Sequence, residues 1–233
     1  MEIALTLSQK ITFITGTDTG VGKTLLAASL VHYLRSGGEN ALAMKPFCTG
    51  DRNDVELLQA VQERAGVSTE DINPFFYPDP ISPYAAQRKS GKKVTLPEVV
   101  DRIREMEHRC SHLVVEGAGG LLAPLGEGYS AVDVIRQLKC GIVLVARNRL
   151  GTINHTLLTI RVLEIYQLRR IDVVLMESIK ADPSSLSNFG ILKDMLPGIP
   201  VWKCPFLGAK PQSPRSMKLN RRKTKKLLAG ILH

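Results

Sequence analysis

Short apolar runs recur along the chain, and helical patterns fill most of the intervals between them. The strand-sized runs are Ile11–Thr15, Ala41–Met44, Leu113–Val115, Ile142–Ala146, Ile171–Met176 and Ile199–Trp202. They are apolar on both faces rather than alternating, as strands must be in a parallel sheet covered by helices on both sides. Thr24–Arg35 carries Leu25, Ala28, Leu30 and Leu34, and Asp54–Arg64 carries Val55, Leu58 and Val61, both in helical patterns. Thr95-Leu96-Pro97-Glu98 reads as a capping box with proline in the first turn, opening a helix through about Arg109. Ser130–Leu138, Ile153–Leu168, Leu186–Met195 and Lys218–Leu232 are the remaining helical stretches. Alternation of strand and helix predicts a single doubly wound α/β domain over residues 1–233, with a mostly parallel sheet and helices on both faces. Asn73–Pro83, where Phe75, Phe76 and Tyr77 lie among prolines, reads as an ordered insertion rather than a linker.

Composition narrows the classes. The 233 residues are 44% apolar and 23% charged, enough to bury a sizeable core. No apolar stretch approaches a membrane span, and the N-terminus lacks the basic opening and long apolar core of a signal peptide, so a cytoplasmic protein is expected. The four cysteines show no paired spacing and no neighbouring histidine pattern, so neither a disulfide framework nor a zinc site is suggested. Net charge is +9, yet Lys210, Arg215, Lys218, Arg221, Arg222, Lys223, Lys225 and Lys226 follow Gly208 with no acidic residue among them. The body before this C-terminal tail is therefore nearly neutral. Such a run reads as a solvated helix face, and without interleaved aromatics a nucleic-acid partner is not expected.

The densest chemistry is Gly16-Thr17-Asp18-Thr19-Gly20-Val21-Gly22-Lys23-Thr24, placed between a strand and a helix. A triphosphate needs backbone N–H groups packed around it, and only a loop of small residues allows that approach. Gly20, Val21 and Gly22 would supply the cradle, Lys23 would reach the outer phosphates, and the Thr24 hydroxyl would hold magnesium. The first glycine falls at Gly16, whereas the usual spacing asks for one at Thr17.

In a doubly wound sheet, ligands sit beyond the carboxyl ends of the strands, so polar residues there are candidates. Lys45 follows one strand and would face the cavity of Lys23, or else be a surface lysine before a turn. Asp54 begins a helix, a position that caps also occupy. Glu116 ends another strand, where a magnesium ligand or a water-ordering group belongs, and Gly117, Gly119 and Gly120 keep side chains clear of a ligand. The segment from Arg147 to His155 opens a helix whose N-terminus could receive a carboxylate; His155 is given no acid–base role.

Together these segments resemble the dethiobiotin synthetases, ATP-dependent ligases on the P-loop NTPase fold. The matching pieces run from Thr15 to Thr24, through Lys45-Pro46 with Thr49-Gly50, Arg52-Asn53-Asp54, Ile81 to Ala86 and Val115 to Gly120, to Leu150–His155. They span about residues 11–160 in the family's order. The resemblance implies closure of a ureido ring on diaminopelargonic acid with CO2 and ATP, in a magnesium-dependent homodimer with shared active sites. It implies magnesium at Thr24, Asp54 and Glu116, phosphate at Lys23, and diamine or carbamate at Thr19, Lys45 and Thr49, with Glu116 and Gly119 also lining the substrate. Gly151, Thr152, Ile153 and Asn154 would receive the substrate carboxylate across the dimer interface. Three positions depart from the family: Gly20, where some members are acidic; Tyr84, where histidine is common; and Glu177, where an asparagine typically reads adenine. Beyond Glu177 the resemblance is loose. A partitioning-type ATPase switch is the alternative, although it would carry a second P-loop lysine where Asp18 stands. An amidotransferase-type synthetase would need a further domain, and a non-catalytic paralogue stays open because of Glu177.

Overall fold

The computed structural model describes residues 8–168, 170–180, 182–208 and 214–232. The signal-peptide reading at residues 1–7 and Lys210 of the basic tail lie outside them. Six strands form one sheet: β1 (Ser8–Gly16), β2 (Ala41–Met44), β5 (His112–Glu116), β8 (Cys140–Arg147), β9 (Ile171–Met176) and β10 (Val201–Cys204). Their order across the sheet is β10-β9-β8-β1-β5-β2, and every neighbouring pair is parallel. Parallel pairing follows from the both-faces apolar runs, because each strand returns through a helix that must cover the sheet.

The alternation of side chains separates two cores. Ile11, Phe13, Leu42, Met44, Leu113, Val115, Ile142 and Leu144 face one way, against α5 (Leu96–Glu107), α6 (Ala131–Leu138), α7 (Thr152–Ile165) and α8 (Ser185–Met195). Ile14, Ala43, Val114, Val143, Val145 and Val174 face the other, against α1 (Lys23–Ser36), α2 (Asn53–Val61) and α9 (Pro214–Ile231). Truncating a central side chain such as Phe13 would cost about 3–5 kcal/mol, since neither core can collapse around the void.

Helix starts follow the sequence signals closely. Thr95 caps α5 by accepting from Glu98 N, and Glu98 reaches back to Thr95 N. Asp54 corrects one alternative: α2 begins at Asn53 with Arg52 as N-cap, and no side chain caps it, so Asp54 is not the cap. That helix also ends at Val61, where Glu63–Ala65 continues as a 3-10 turn. The proline-rich insertion contains β4 (Phe75–Tyr77), which pairs in parallel with β3 (Phe47–Thr49). It leads into α4 (Pro83–Ser90), while β6 (Pro124–Gly126) and β7 (Tyr129–Ser130) form a small antiparallel ribbon. These short elements and the one-turn α3 (Thr69–Ile72) are too brief for hydrophobic periodicity to reveal.

Strand β2 is a sheet edge, and an edge leaves backbone groups unpaired. The buried Gln62 amide fills that role, donating to Ala43 O and accepting from Ala43 N at 3.0 and 2.8 Å. This fixes the strand that carries Lys45. No helix among the described residues is long and apolar enough to cross a membrane.

Candidate active site at the phosphate loop

β1, β5 and β2 are neighbours in the sheet, so their carboxyl ends bring Gly16, Glu116 and Lys45 to one place. The loop after β1 turns through Gly20 at φ 70° and Gly22 at φ 107°, a left-handed conformation that favours glycine. Gly16 is the constricted position: a Cβ there would lie 2.8 Å from Val21 Cγ2 and 3.0 Å from Asp18 O. Glycine is therefore needed at 16 rather than at 17, which explains the shifted spacing. Lys23 opens α1 and donates from Nζ to Asp18 O at 2.8 Å.

Four side chains meet beside this loop. The Thr24 hydroxyl donates to Glu116 Oε1 at 2.8 Å, and Lys45 Nζ donates to the same oxygen at 2.5 Å. Lys45 Nζ also pairs with Asp54 Oδ2 at 2.9 Å. The lysine is thus not a surface residue before a turn. Its backbone is held as well, by Lys45 N donating to Ile72 O and by buried Asn73 donating from Nδ2 to Lys45 O at 2.9 Å. Asn73 sits at the start of the insertion and escaped the sequence reading; its neighbouring Pro74 and aromatics were the available signal, pointing to an ordered segment but not to what it holds.

Lys23 and Lys45 are both 6% exposed, and their proton affinities move in opposite directions. Burial pushes the Lys23 ammonium down to about 8, against the opposing pull of Glu116. Burial disfavours the Lys45 charge too, but Glu116 and Asp54 outweigh it and hold its proton more tightly than in an ordinary lysine. Burial likewise raises Asp54, and the Lys45 ammonium with the Thr24 hydroxyl reverses that, leaving its carboxyl below the usual value.

Thr19, Gly20, Gly22, Lys23, Thr24, Lys45, Asp54, Glu116 and Gly119 all line one cavity of about 230 Å³. Val21 is buried beneath the loop, and Thr49 lies at the end of β3 outside that lining. A larger cavity of about 660 Å³, between α4 and the β6–β7 ribbon, is lined by Tyr84 and Tyr129 and by none of the candidate site residues. Gly151, the N-cap of α7 at φ 88°, stands outside the 230 Å³ cavity with Thr152, Ile153 and Asn154; Thr152 is buried and Asn154 exposed. Glu177 follows β9 and accepts from Asn148 Nδ2 at 2.9 Å. Asn148 is itself buried and accepts from Asn188 Nδ2, a network that sequence alone did not reveal.

The residues present fit a magnesium ion. Glu116 Oε2 is buried without a hydrogen-bond partner, beside the Thr24 hydroxyl and across Lys45 from Asp54. Among the described residues no group of three or more His, Cys, Asp or Glu is placed to bind a metal. Magnesium takes one or two carboxylates and completes its shell with water and phosphate, so the fit rests on Glu116, Asp54 and Thr24.

Comparison with known proteins identifies the family. The model of a family described as an AAA domain matches residues 10–217. The ATP-dependent dethiobiotin synthetase BioD of Bacillus subtilis is 43% identical over 160 residues, 65% of this chain and 68% of that protein. The synthetase of the same name from Anaeromyxobacter dehalogenans is 42% identical over 156 residues, 65% and 70% of the two chains. Among solved structures, a putative plasmid partition protein of Borrelia burgdorferi superposes with TM-score 0.58 at 12% identity, covering 96% of each chain. The MinD cell division protein of Aquifex aeolicus gives 0.51 at 18% identity, covering 91% of this chain and 86% of its own. These two likenesses speak for the P-loop α/β fold alone. With the sequence relatives and the family model, the conclusion is that this chain belongs to the ATP-dependent dethiobiotin synthetases, a family of ligases.

Proposed function

We propose that the chain makes dethiobiotin from 7,8-diaminopelargonic acid, CO2 and ATP, as one cytoplasmic domain that works in a homodimer. The observation that carries this reading is the meeting of Lys45, Asp54, Glu116 and Thr24 beside the phosphate loop. A partitioning-type switch would place its second lysine in the loop, where Asp18 stands; a second buried lysine at the end of β2 instead supports a second anion there.

The first amine attacks the carbon of CO2, forms an N–C bond and loses a proton, giving a carbamate. A carbamate oxygen then attacks the γ-phosphorus, and the bond to the β-phosphate oxygen breaks to release ADP. The second amine attacks the carbonyl carbon of this mixed anhydride, closes the ring, loses its proton and expels phosphate. Negative charge gathers on carbamate and phosphoryl oxygens along the way. Lys45 would stabilise the carbamate end and Lys23 the phosphoryl end, with Thr19 beside them in the lining of the same cavity. A magnesium ion held by Thr24, Asp54 and Glu116 would draw charge from the phosphate oxygens. Gly119, at φ 69° and with Ala123 where a Cβ would go, lines the cavity and would contact the diamine, as Thr49 would from β3.

Sharing of sites is supported by where the carboxylate-binding segment lies. Gly151 caps α7 and Asn154 is exposed in its first turn, so in the proposed dimer this segment would be open to the partner's site. Glu177 would face the base of the nucleotide.

Phosphate release from ATP, with and without diaminopelargonic acid and bicarbonate, tests the proposal. Dependence on both is expected. Hydrolysis that responds to DNA instead would favour a partitioning-type switch, and silence a non-catalytic paralogue.

A further inference from the structure

Helix α9 takes no part in the chemistry above. Its inner side is Asn220, Thr224, Leu227, Leu228 and Ile231, all buried and spaced as one helical stripe. Asn220 Nδ2 donates to Leu207 O at 2.9 Å, and at Gly230 a Cβ would overlap the Trp202 ring, so the helix is seated firmly. Arg221, Arg222, Lys223, Lys225 and Lys226 are exposed on the outside. Among the described residues, none of these five forms an ion pair, and no acidic residue lies on α9 to neutralise them. Arg221, Arg222 and Lys225 also wall a groove of about 540 Å³ against the end of α1, with Tyr33 and Ser36 opposite. Glu39 is the acid in that lining, and its carboxylate accepts from the Ser111 hydroxyl.

We propose that this face docks the phosphate backbone of duplex nucleic acid, which revises the expectation of a merely solvated helix. A single-sign cluster on a nearly neutral body makes a field that attracts polyanions and is not needed for solubility alone. An anionic membrane is the weaker match. A helix that binds a bilayer must bury an apolar side in it, and the apolar side of α9 is already packed against α1 and β10. Among the described residues of α9, Leu219 is the exposed large apolar side chain. The groove holds half-buried Tyr33 and no row of exposed rings, so contacts would fall on phosphates and be indifferent to sequence.

Anisotropy of a labelled duplex of about 20 base pairs, titrated with the full chain at several salt concentrations, tests this. With up to five cations engaged, log affinity against log salt should have a slope no steeper than about −4.5. Arg221→Gln/Arg222→Gln/Lys225→Gln should flatten that slope by about 2.7 and weaken binding at 50 mM salt by roughly 30-fold or more. Lys92→Gln/Arg136→Gln/Lys180→Gln removes the same charge from other surfaces and should change affinity by less than about threefold. If the first triple melts at a lower temperature, Lys223→Gln/Lys226→Gln on the same face should still flatten the slope by about 1.8. No saturable binding by the wild-type chain at 50 mM salt would overturn the proposal. So would equal losses in the two triples, or binding to phosphatidylserine vesicles without binding to duplex.

Discussion

The phosphate loop and the end of β2 each bury a lysine to the same 6% exposure, and they treat it in opposite ways. Lys23 has a carbonyl, Asp18 O, as its hydrogen-bond partner, and its ammonium is held down to about 8. Lys45 has two carboxylates and keeps its proton beyond the ordinary lysine range. A buried cation whose direct hydrogen-bond partner is a carbonyl, with carboxylates only at a distance, is an incomplete arrangement that an incoming anion completes. A buried cation between carboxylates is already neutralised, and it occupies the ground where a metal ion would bind. The first lysine is poised for phosphate. In the proposed reaction the second would share Asp54 and Glu116 with magnesium and so be free to face a carbamate.

Removing Lys45 should break the contrast most severely. Lys45→Ala is expected to lower turnover by ~10²–10³, as loss of one stabiliser of a developing anion does, with nucleotide affinity near normal. It should also destabilise the metal-free protein by about 3–5 kcal/mol, because Glu116 is left buried and unpaired. Melting curves with and without magnesium separate the two effects, since the metal should restore part of the lost stability. Near-normal turnover would remove Lys45 from the reaction.

Asp54→Asn should weaken the proposed metal site while leaving Lys23 in place. The magnesium concentration for half-maximal turnover should rise by roughly 10–100-fold, with the maximal rate approached again at high magnesium. An unchanged requirement would make Asp54 a partner of Lys45 alone.

The lowered Lys23 value predicts a pH dependence with a definite sign. Its folded pKa of about 8 lies below the unfolded 10.5, so between these the unfolded chain binds more protons, and the contribution of Lys23 to stability improves as pH rises. Nucleotide binding runs the other way. Above pH 8 the loop must take up a proton to pair with phosphate, and affinity should fall by up to about tenfold per pH unit. Calorimetry in buffers of different ionisation enthalpy should detect that proton uptake at pH 8.5 and lose it in Lys23→Gln. Lys45 should add no such dependence, because its contribution is complete below its ordinary pKa and disappears only above its raised one.

Shared sites can be tested by mixing inactive Lys23→Ala and Asn154→Ala subunits. Random pairing leaves half the dimers with one intact site, so about a quarter of wild-type turnover should return. A monomer at micromolar concentration would rule the arrangement out.

The smallest effect is expected at Glu177, where one carboxylate oxygen already accepts from Asn148. A carboxylate can accept from an amine but cannot donate to a ring nitrogen, so adenine should be held less selectively than by an asparagine. Glu177→Asn should raise the ATP-over-GTP ratio of kcat/KM by one base contact, roughly 1 kcal/mol at the low end of base readout. A strong ATP preference in both proteins would show that Glu177 does not read the base.

The sequence by itself determined the parallel sheet, because runs apolar on both faces have nowhere stable to lie except between two helix layers. It also determined the phosphate loop, because Gly20, Gly22 and Lys23 are local requirements of backbone geometry and charge. Only the tertiary structure decided what Asp54 does. A carboxylate in the first turn of a helix can cap or reach outward, and its meeting with Lys45 depends on β2 lying at the edge where Gln62 and Asn73 hold it. The same holds for Asn148 beside Glu177 and for the seating of α9, whose stripe from Asn220 to Ile231 says that it packs but not against what. Periodicity records which side of an element is buried. Strand order, which sets the neighbours of each strand end, is decided by packing between segments far apart in the chain.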